Sequence, residues 1–392
     1  MAKSAHAQSA TPESSVVSPR SLRIAGVDPE LGFGGGETQV LGLTRALIAA
    51  GHIAELICDP AGRLWERAAD SGIRCHPLRI RNALDLSAAI RLRGILKRGD
   101  YDIVHFHTSR AHSMAPLTHG FAVALFVTRR MDYRPNRIFA PYLFNRAVDC
   151  VVAISSGVAD SLAAAGVDRS SLTVVPSGVD CERFRQPSAD ERARARARFE
   201  ISDGEIAIVA VGALEARKGH RYLIEAIATL GDSGVALKCL IAGDGSIRAD
   251  LEREITALGC AARVAMLGRI EDPRELLWAA DIFAMPSLKE GLGVAALEAM
   301  ACGVPAIVSA VGGLREVVGH DDSGILVEPA RADEIGAAIA RLASSAELRS
   351  RMAVAARQRV ERNFSMTTMA ERTLALYRAA LEKSRDRRGS NH

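Results

Sequence analysis

Residues 281 to 310, DIFAMPSLKEGLGVAALEAMACGVPAIVSA, hold one complete strand–loop–helix–strand unit. DIFAM is a short apolar run closed by Pro286 and Ser287, KEGLG is a loop, VAALEAMA starts a helix at about Val294, and PAIVSA is apolar again. Neither strand candidate alternates with polar residues. That is the pattern of strands buried on both faces, as in a parallel sheet wrapped by helices.

Outward from this unit the alternation repeats. EIAIVAVG, KCLIAG and RVAMLG precede it in the second half of the chain. The first half has its own series: LRIAGV at 22 to 27, IAELIC at 53 to 58, DIVHF at 102 to 106, AVALFV at 122 to 127, DCVVAI at 149 to 154 and LTVV at 172 to 175. Between Phe184 and Glu205 the series pauses at the polar QPSADERARARARFE. A chain of 392 residues also exceeds the roughly 250 to 300 at which a single core stops growing. The expected architecture is α/β, with two doubly wound Rossmann-like domains, 21 to 190 and 200 to 363, joined near residue 190. Ligands of open parallel sheets bind beyond the carboxyl ends of the strands, where strand order reverses. The cleft between the two domains is therefore the expected site.

Composition narrows the function classes. A net charge of +4 is weak for so long a chain and argues neither for nucleic acid nor strongly for an anionic membrane, local basic patches aside; no nucleic-acid partner is expected. Seven cysteines, at 58, 75, 150, 181, 239, 260 and 302, stand singly with no C-x-x-C pair. That is neither a disulfide framework nor a zinc site, and it fits a reducing cytosol. The first twenty residues are rich in Ser, Ala and Pro, lack the apolar core of a signal peptide, and read as a disordered tail. No apolar run approaches the roughly 18 residues that span a bilayer, so any membrane contact is expected to be peripheral.

Three stretches carry chemistry. After the first strand, VDPELGFGGGETQVLGLTRAL is a glycine-dense loop entering a helix near Glu37; its free amides favour a negative group. It fails the dinucleotide fingerprint, because Glu37 stands where the third glycine belongs. In VGALEARKGHRYLIEAI, Arg217 and Lys218 lie between a strand ending at Val211 and a helix starting near Gly219. Helix starts usually prefer acids, so two cations there suit a diphosphate. In the opening stretch, Glu290 and Glu298 bracket Gly291, Leu292, Gly293 and Val294. That offers carboxylates to sugar hydroxyls at one end and to a ribose at the other, with backbone donors for phosphate between them. Each stretch taken alone also fits a structural turn.

Other features are read as structural. Asp100-Tyr101-Asp102 has the D-x-D form of a metal site but opens the strand DIVHF. His105 is expected in the core, while His107, at the strand's end, is divided between core and cleft. RARARAR at 192 to 198 reads as a solvated helix face.

VGALEARKG, VAMLGRI, LLWAADIFAMPSLKEGLGVAALEAMACGVPAIVSAVGGLREVV and SGILVEP together resemble the carboxyl-terminal domain of the retaining family-four glycosyltransferases, which have the GT-B fold. The resemblance is tightest over 205 to 330; before that, GGGE, DIVHFH and PSGVDCERF match in outline. It implies a nucleotide-diphosphate sugar donor, UDP favoured, and a saccharide or lipid-linked acceptor of surface polysaccharide or glycolipid synthesis. It further implies cytoplasmic catalysis with neither metal nor cofactor. Glu290, Lys218, His107 and Arg130 would be catalytic. Gly34, Gly35, Arg217, Lys218, Gly243, Arg269, Glu290, Gly291, Leu292, Gly293, Val294 and Glu298 would bind the donor. The segment from 364 to 392 would be a helix packing back on the first domain. Two departures stand out. Ala213 replaces a usual Arg, and Arg129 and Arg130 occupy the place of a usual active-site His. Arg130 then binds an anionic group of the acceptor or the donor diphosphate, unless it merely pairs with Asp132 at the surface. A nucleotide-sugar epimerase on the same fold and an inactive sugar-nucleotide-binding protein are the alternative readings.

Overall fold

The computed structural model describes residues 20–32, 34–118, 120, 124–130, 139–231 and 234–389. The tail to residue 19 and Asp132 therefore lie outside the described residues. The first sheet contains β1 (Arg23–Asp28), β2 (Ile53–Cys58), β3 (Cys75–Pro77), β4 (Ile103–Phe106), β5 (Ala124–Arg129), β6 (Cys150–Ala153) and β7 (Leu172–Val174). The second contains β8 (Ile206–Val211), β9 (Leu237–Ala242), β10 (Val264–Gly268), β11 (Ile282–Met285), β12 (Ala306–Ser309) and β13 (Gly324–Val327).

Both sheets are parallel, with orders β3-β2-β1-β4-β5-β6-β7 and β10-β9-β8-β11-β12-β13. Chain order thus reverses between β1 and β4 in one sheet and between β8 and β11 in the other. This is the two-domain GT-B architecture. The central strands are nearly all apolar because helices cover both faces of each sheet.

Three boundaries differ from the sequence reading. β3 is a three-residue edge strand with no buried residue, too short and too polar to carry a period-two signal. β5 runs two residues further than AVALFV, because Thr128 and Arg129 pair with Val152 and Ala153 of β6. The glycine-rich helix begins at Gly35 instead of Glu37. Glu37 reaches back as its third residue, and its Oε2 accepts from the Gly34 N–H at 2.7 Å.

The arginine run corrects a second expectation. Arg192 and Arg196, one turn apart on the helix Ala189–Arg198, both bind the carboxylate of Asp281, at 2.7 and 2.9 Å. Arg192 also donates to the carbonyls of Trp278 and Ala280, each at 2.8 Å. The same Asp281 accepts from the backbone N–H of Ala207. One face of the run therefore clamps the second sheet instead of meeting solvent, through an acid more than eighty residues away.

The chain crosses between the two sheets twice, side by side. Val179 donates to the Phe364 carbonyl and accepts from the Met366 N–H. The terminal helix Met366–Gly389 then returns to the first sheet, where Met369, Ala370, Leu374, Tyr377 and Leu381 join Ile24, Leu43, Ile103 and Phe126 in one core. Tyr377 is fully buried, and its hydroxyl meets His105 Nδ1 at 2.6 Å.

Candidate functional site

The two reversals of strand order face a shared cavity of about 880 Å3, large enough for a nucleotide sugar. Its walls come from the segments that follow β1, β2, β4, β5 and β7 of the first sheet and β8, β10 and β11 of the second. Parallel strands deliver all their following loops to one edge of a sheet, which is how residues distant in sequence converge here.

On the second-sheet wall, the loop after β8 and the loop after β11 are bound together. Leu288 donates to the Arg217 carbonyl at 2.8 Å. This places Lys218 Nζ 2.5 Å from Glu290 Oε2, with both side chains largely buried. Arg217 turns to Glu215, at 2.7 Å. Gly291 lies where a Cβ would come 2.5 Å from the Arg130 carbonyl of the other half, so any side chain there would push the halves apart. Gly293, with φ +97°, begins the helix Val294–Ala301 in the left-handed region, which only glycine adopts without strain. Glu298 follows just over one turn into that helix. Burial pushes its carboxyl up to about 7, with Arg183 opposing and Asp272 adding to the shift.

Opposite stand Arg130 and His107. Arg130 follows β5 and lines the cavity. Its Nη1 donates to Ser177 Oγ at 3.3 Å, while its buried Nε has no hydrogen-bond partner among the described residues. Burial lowers the guanidinium to about 10, offset by the carboxylates of Asp28 and Glu37; it remains a cation at neutral pH. His107 is 5% exposed and stacks on His105 with ring centres 4.2 Å apart. Burial, then His105, holds its imidazole well below the usual range, so it is neutral.

Of the residues singled out in the sequence, Gly34, Gly35, His107, Arg130, Arg217, Lys218, Arg269, Glu290, Gly291, Leu292, Gly293, Val294 and Glu298 line this cavity. Gly243 does not. It packs on the end of β8, where a Cβ would come 1.8 Å from the Gly212 carbonyl, and so shapes the floor from behind. The Gly34 amide is engaged by Glu37, which puts a carboxylate where the sequence suggests a free phosphate donor. Asp102 of the D-x-D binds the Arg23 N–H at the opposite, amino edge of the sheet. His105 is satisfied by Tyr377 and Thr128.

Sequence reasoning missed Arg45, Arg63, Arg67, Arg183 and Lys289, which also line the cavity. Arg63 opens the helix Arg63–Asp70 that follows β2, with Arg67 one turn further on, and that position beyond a strand's carboxyl end was the available signal. Among the described residues no cluster of three or more His, Cys, Asp or Glu could hold a metal, and no helix is long and apolar enough to cross a membrane.

Comparison with known proteins agrees with this geometry. The family profile described as Glycosyltransferase Family 4 matches residues 33–183, and that of Glycosyl transferases group 1 matches 191–359. The chain is 31% identical over 300 residues to the D-inositol 3-phosphate glycosyltransferase of Xylanimonas cellulosilytica, covering 68% of this chain and 71% of that one. It is 28% identical over 345 residues to the lipopolysaccharide core biosynthesis glycosyltransferase LpsE of Rhizobium meliloti, covering 88% and 95%. Matches to other curated relatives span about half of their length. A solved structure of Anabaena HepE in complex with UDP-glucose superimposes with a TM-score of 0.81 at 20% identity, over 91% of this chain and all of that one. The fold, the loops gathered at its two switch points and these matches together place the chain in the family-four (group 1) glycosyltransferases of GT-B fold.

Proposed function

We propose that the protein moves a sugar from a UDP-sugar to a saccharide or lipid-linked acceptor in surface polysaccharide or glycolipid synthesis, retaining the anomeric configuration and using no metal ion. The observation that carries this reading is the Lys218–Glu290 pair on one wall, with Glu298 a short way along the same wall, facing Arg130 and His107 across the cavity. Glu298 accepts from the ribose and Glu290 from the sugar hydroxyls. Lys218 then exchanges its carboxylate partner for the diphosphate, helped by Arg217 and Arg269. Preorganised charge of this kind stabilises the leaving phosphate without a metal.

Retention follows if the acceptor attacks from the side of the leaving group, through an oxocarbenium-like transition state, with the departing phosphate taking the acceptor proton. No protein nucleophile is then required, and Glu290 orients the sugar instead of attacking it. Arg130 cannot act as a base; it binds an anionic group of the acceptor or the diphosphate. HepE crystallised with UDP-glucose supports the donor, and LpsE supports the acceptor class. The D-inositol 3-phosphate of the Xylanimonas relative's name is an acceptor of the anionic kind that Arg130 suits. UDP-sugars are cytosolic, so this reading locates the protein in the cytoplasm.

The test is UDP release from a panel of UDP-sugars, with and without saccharide and lipid-linked acceptors, with the anomeric proton of the product read by NMR. UDP release that depends on acceptor and persists in EDTA, with a retained product, is expected. An inverted product, or activity abolished by EDTA and restored by Mn2+, would overturn the mechanism.

A further inference from the structure

Gln39 is a buried polar side chain at the cavity wall, 2% exposed, to which the proposed chemistry gives no task. It lies just past the first turn of the glycine-rich helix Gly35–Ala49. Both ends of its carboxamide close on one residue 139 positions away: Nε2 donates to the Gly178 carbonyl and Oε1 accepts from the Gly178 N–H, each at 2.8 Å. Gly178 has no room to retreat, since a Cβ there would come 2.8 Å from Met366 Cα. The next residue, Val179, is bonded to Phe364 and Met366. The turn after β7 is thus held from two sides, by the helix and by the second crossing of the chain between the sheets.

That turn carries Ser177, 1% exposed, whose Oγ accepts from Arg130 Nη1. The stem of Arg130 lies against the start of the same helix, where a Cβ on Gly36 would stand 3.8 Å from Arg130 Cδ. A Cβ on Gly35 would meet nothing within 4 Å, so the space in front of the helix's first amides is open. From the other half, Gly291 comes up to the Arg130 carbonyl. Arg130 therefore stands between the two glycine-rich turns that offer backbone donors to phosphate, and its buried Nε has no acceptor among the described residues. An arginine has many rotamers, and selecting one costs entropy. A hydrogen bond selects it only as firmly as the anchor itself is fixed, and the Gln39 clamp fixes that anchor.

We propose that Gln39 and Ser177 are positioning residues that hold Arg130 toward the diphosphate of the donor. Gln39 fixes the turn, the turn fixes Ser177, and Ser177 takes one edge of the guanidinium and leaves Nε and the other edge for phosphate oxygens, which a guanidinium fork suits. On the opposite wall the cations each hold a carboxylate, Lys218 that of Glu290 and Arg217 that of Glu215. Ser177 is a neutral anchor, which orients Arg130 without cancelling its charge. The inference rests on the cleft being a nucleotide-sugar site, and it selects the diphosphate from the two anions open to Arg130.

The test is isothermal calorimetry of the full chain with UDP and, independently of the base, with inorganic pyrophosphate. Arg130→Ala should weaken both about tenfold. Ser177→Ala and Gln39→Met should each weaken both about fivefold, while Ser177→Thr, which keeps the hydroxyl, should stay near wild type. In an Arg130→Ala background, Gln39→Met should cost no further affinity although it still lowers the melting temperature; a glutamine with a structural task alone would cost the same factor in either background. If Gln39→Met does not fold, Gln39→Asn, which draws the carboxamide back by one methylene, gives the same readout. Wild-type affinity in the Ser177→Ala and Gln39 variants, or losses that add to that of Arg130→Ala, would overturn the positioning and leave Arg130 in the site. Unchanged binding of both probes by Arg130→Ala, or a wild type that binds neither, would overturn the proposal at its root. Pyrophosphate binding that obeys the cycle, with no affinity added by the uridine of UDP, would uphold the positioning and remove the UDP assignment instead.

Discussion

Glu298 offers a test that separates nucleotide binding from mere structure. Its carboxyl is pushed up to about 7 by burial, so near neutral pH the protein holds comparable amounts of the neutral and ionised forms. A carboxylate that accepts ribose hydroxyls binds in its ionised form. One pH unit below 7 about a tenth of the sites are ionised, and one unit above about nine tenths, so UDP affinity should rise about tenfold between them, or about 1.4 kcal/mol. Glu298→Gln mimics the neutral acid and should match wild type at the lower pH, then fall about tenfold behind at the higher. Isothermal calorimetry with UDP at both values reads this. The β-phosphate also titrates near pH 6, and the Gln variant supplies that baseline. Stability should move the opposite way. The folded pKa lies above the ordinary 4.5, so folding holds the proton, and stability present below that value is lost as pH rises through about 7. Glu298→Gln should therefore be more stable than wild type at high pH, by on the order of 3 kcal/mol in denaturant titration. Parallel affinity profiles for the two proteins would refute a ribose-binding carboxylate.

The remaining predictions concern other parts of the site. Glu290→Ala should cut turnover about a hundredfold, near 3 kcal/mol, with a smaller effect on UDP affinity; unchanged donor kinetics would remove Glu290 from the site. Arg130→Ala should raise the Michaelis constant of an anionic acceptor if it reads the acceptor, or weaken UDP binding if it holds the diphosphate; no change in acceptor kinetics or calorimetry would reduce it to a structural residue. Tyr377→Phe strips the hydroxyl from buried His105 and should cost about 1 to 3 kcal/mol of stability, a loss that an unchanged thermal melt would contradict.

What the sequence by itself determined is the part written in local patterns. Unbroken apolar runs such as IVHF and IFAM specify doubly buried strands, and their alternation with helical segments specifies parallel sheets. Because parallel strands send every following loop to one edge, Gly34, Lys218 and Glu290 were assignable to one cleft from their positions after strands alone. The tertiary structure decided the pairings. Lys218 meets Glu290 across seventy-two residues, Arg192 and Arg196 meet Asp281, and Glu37 takes the Gly34 amide. It also chose the partner of His105, which the sequence places in the core: Tyr377, on a helix 272 residues away, binds it. Charges and hydrogen-bonding groups act over a few ångströms of space and carry no periodicity along the chain. Their partners are therefore chosen by how the two sheets and the returning helix are laid together.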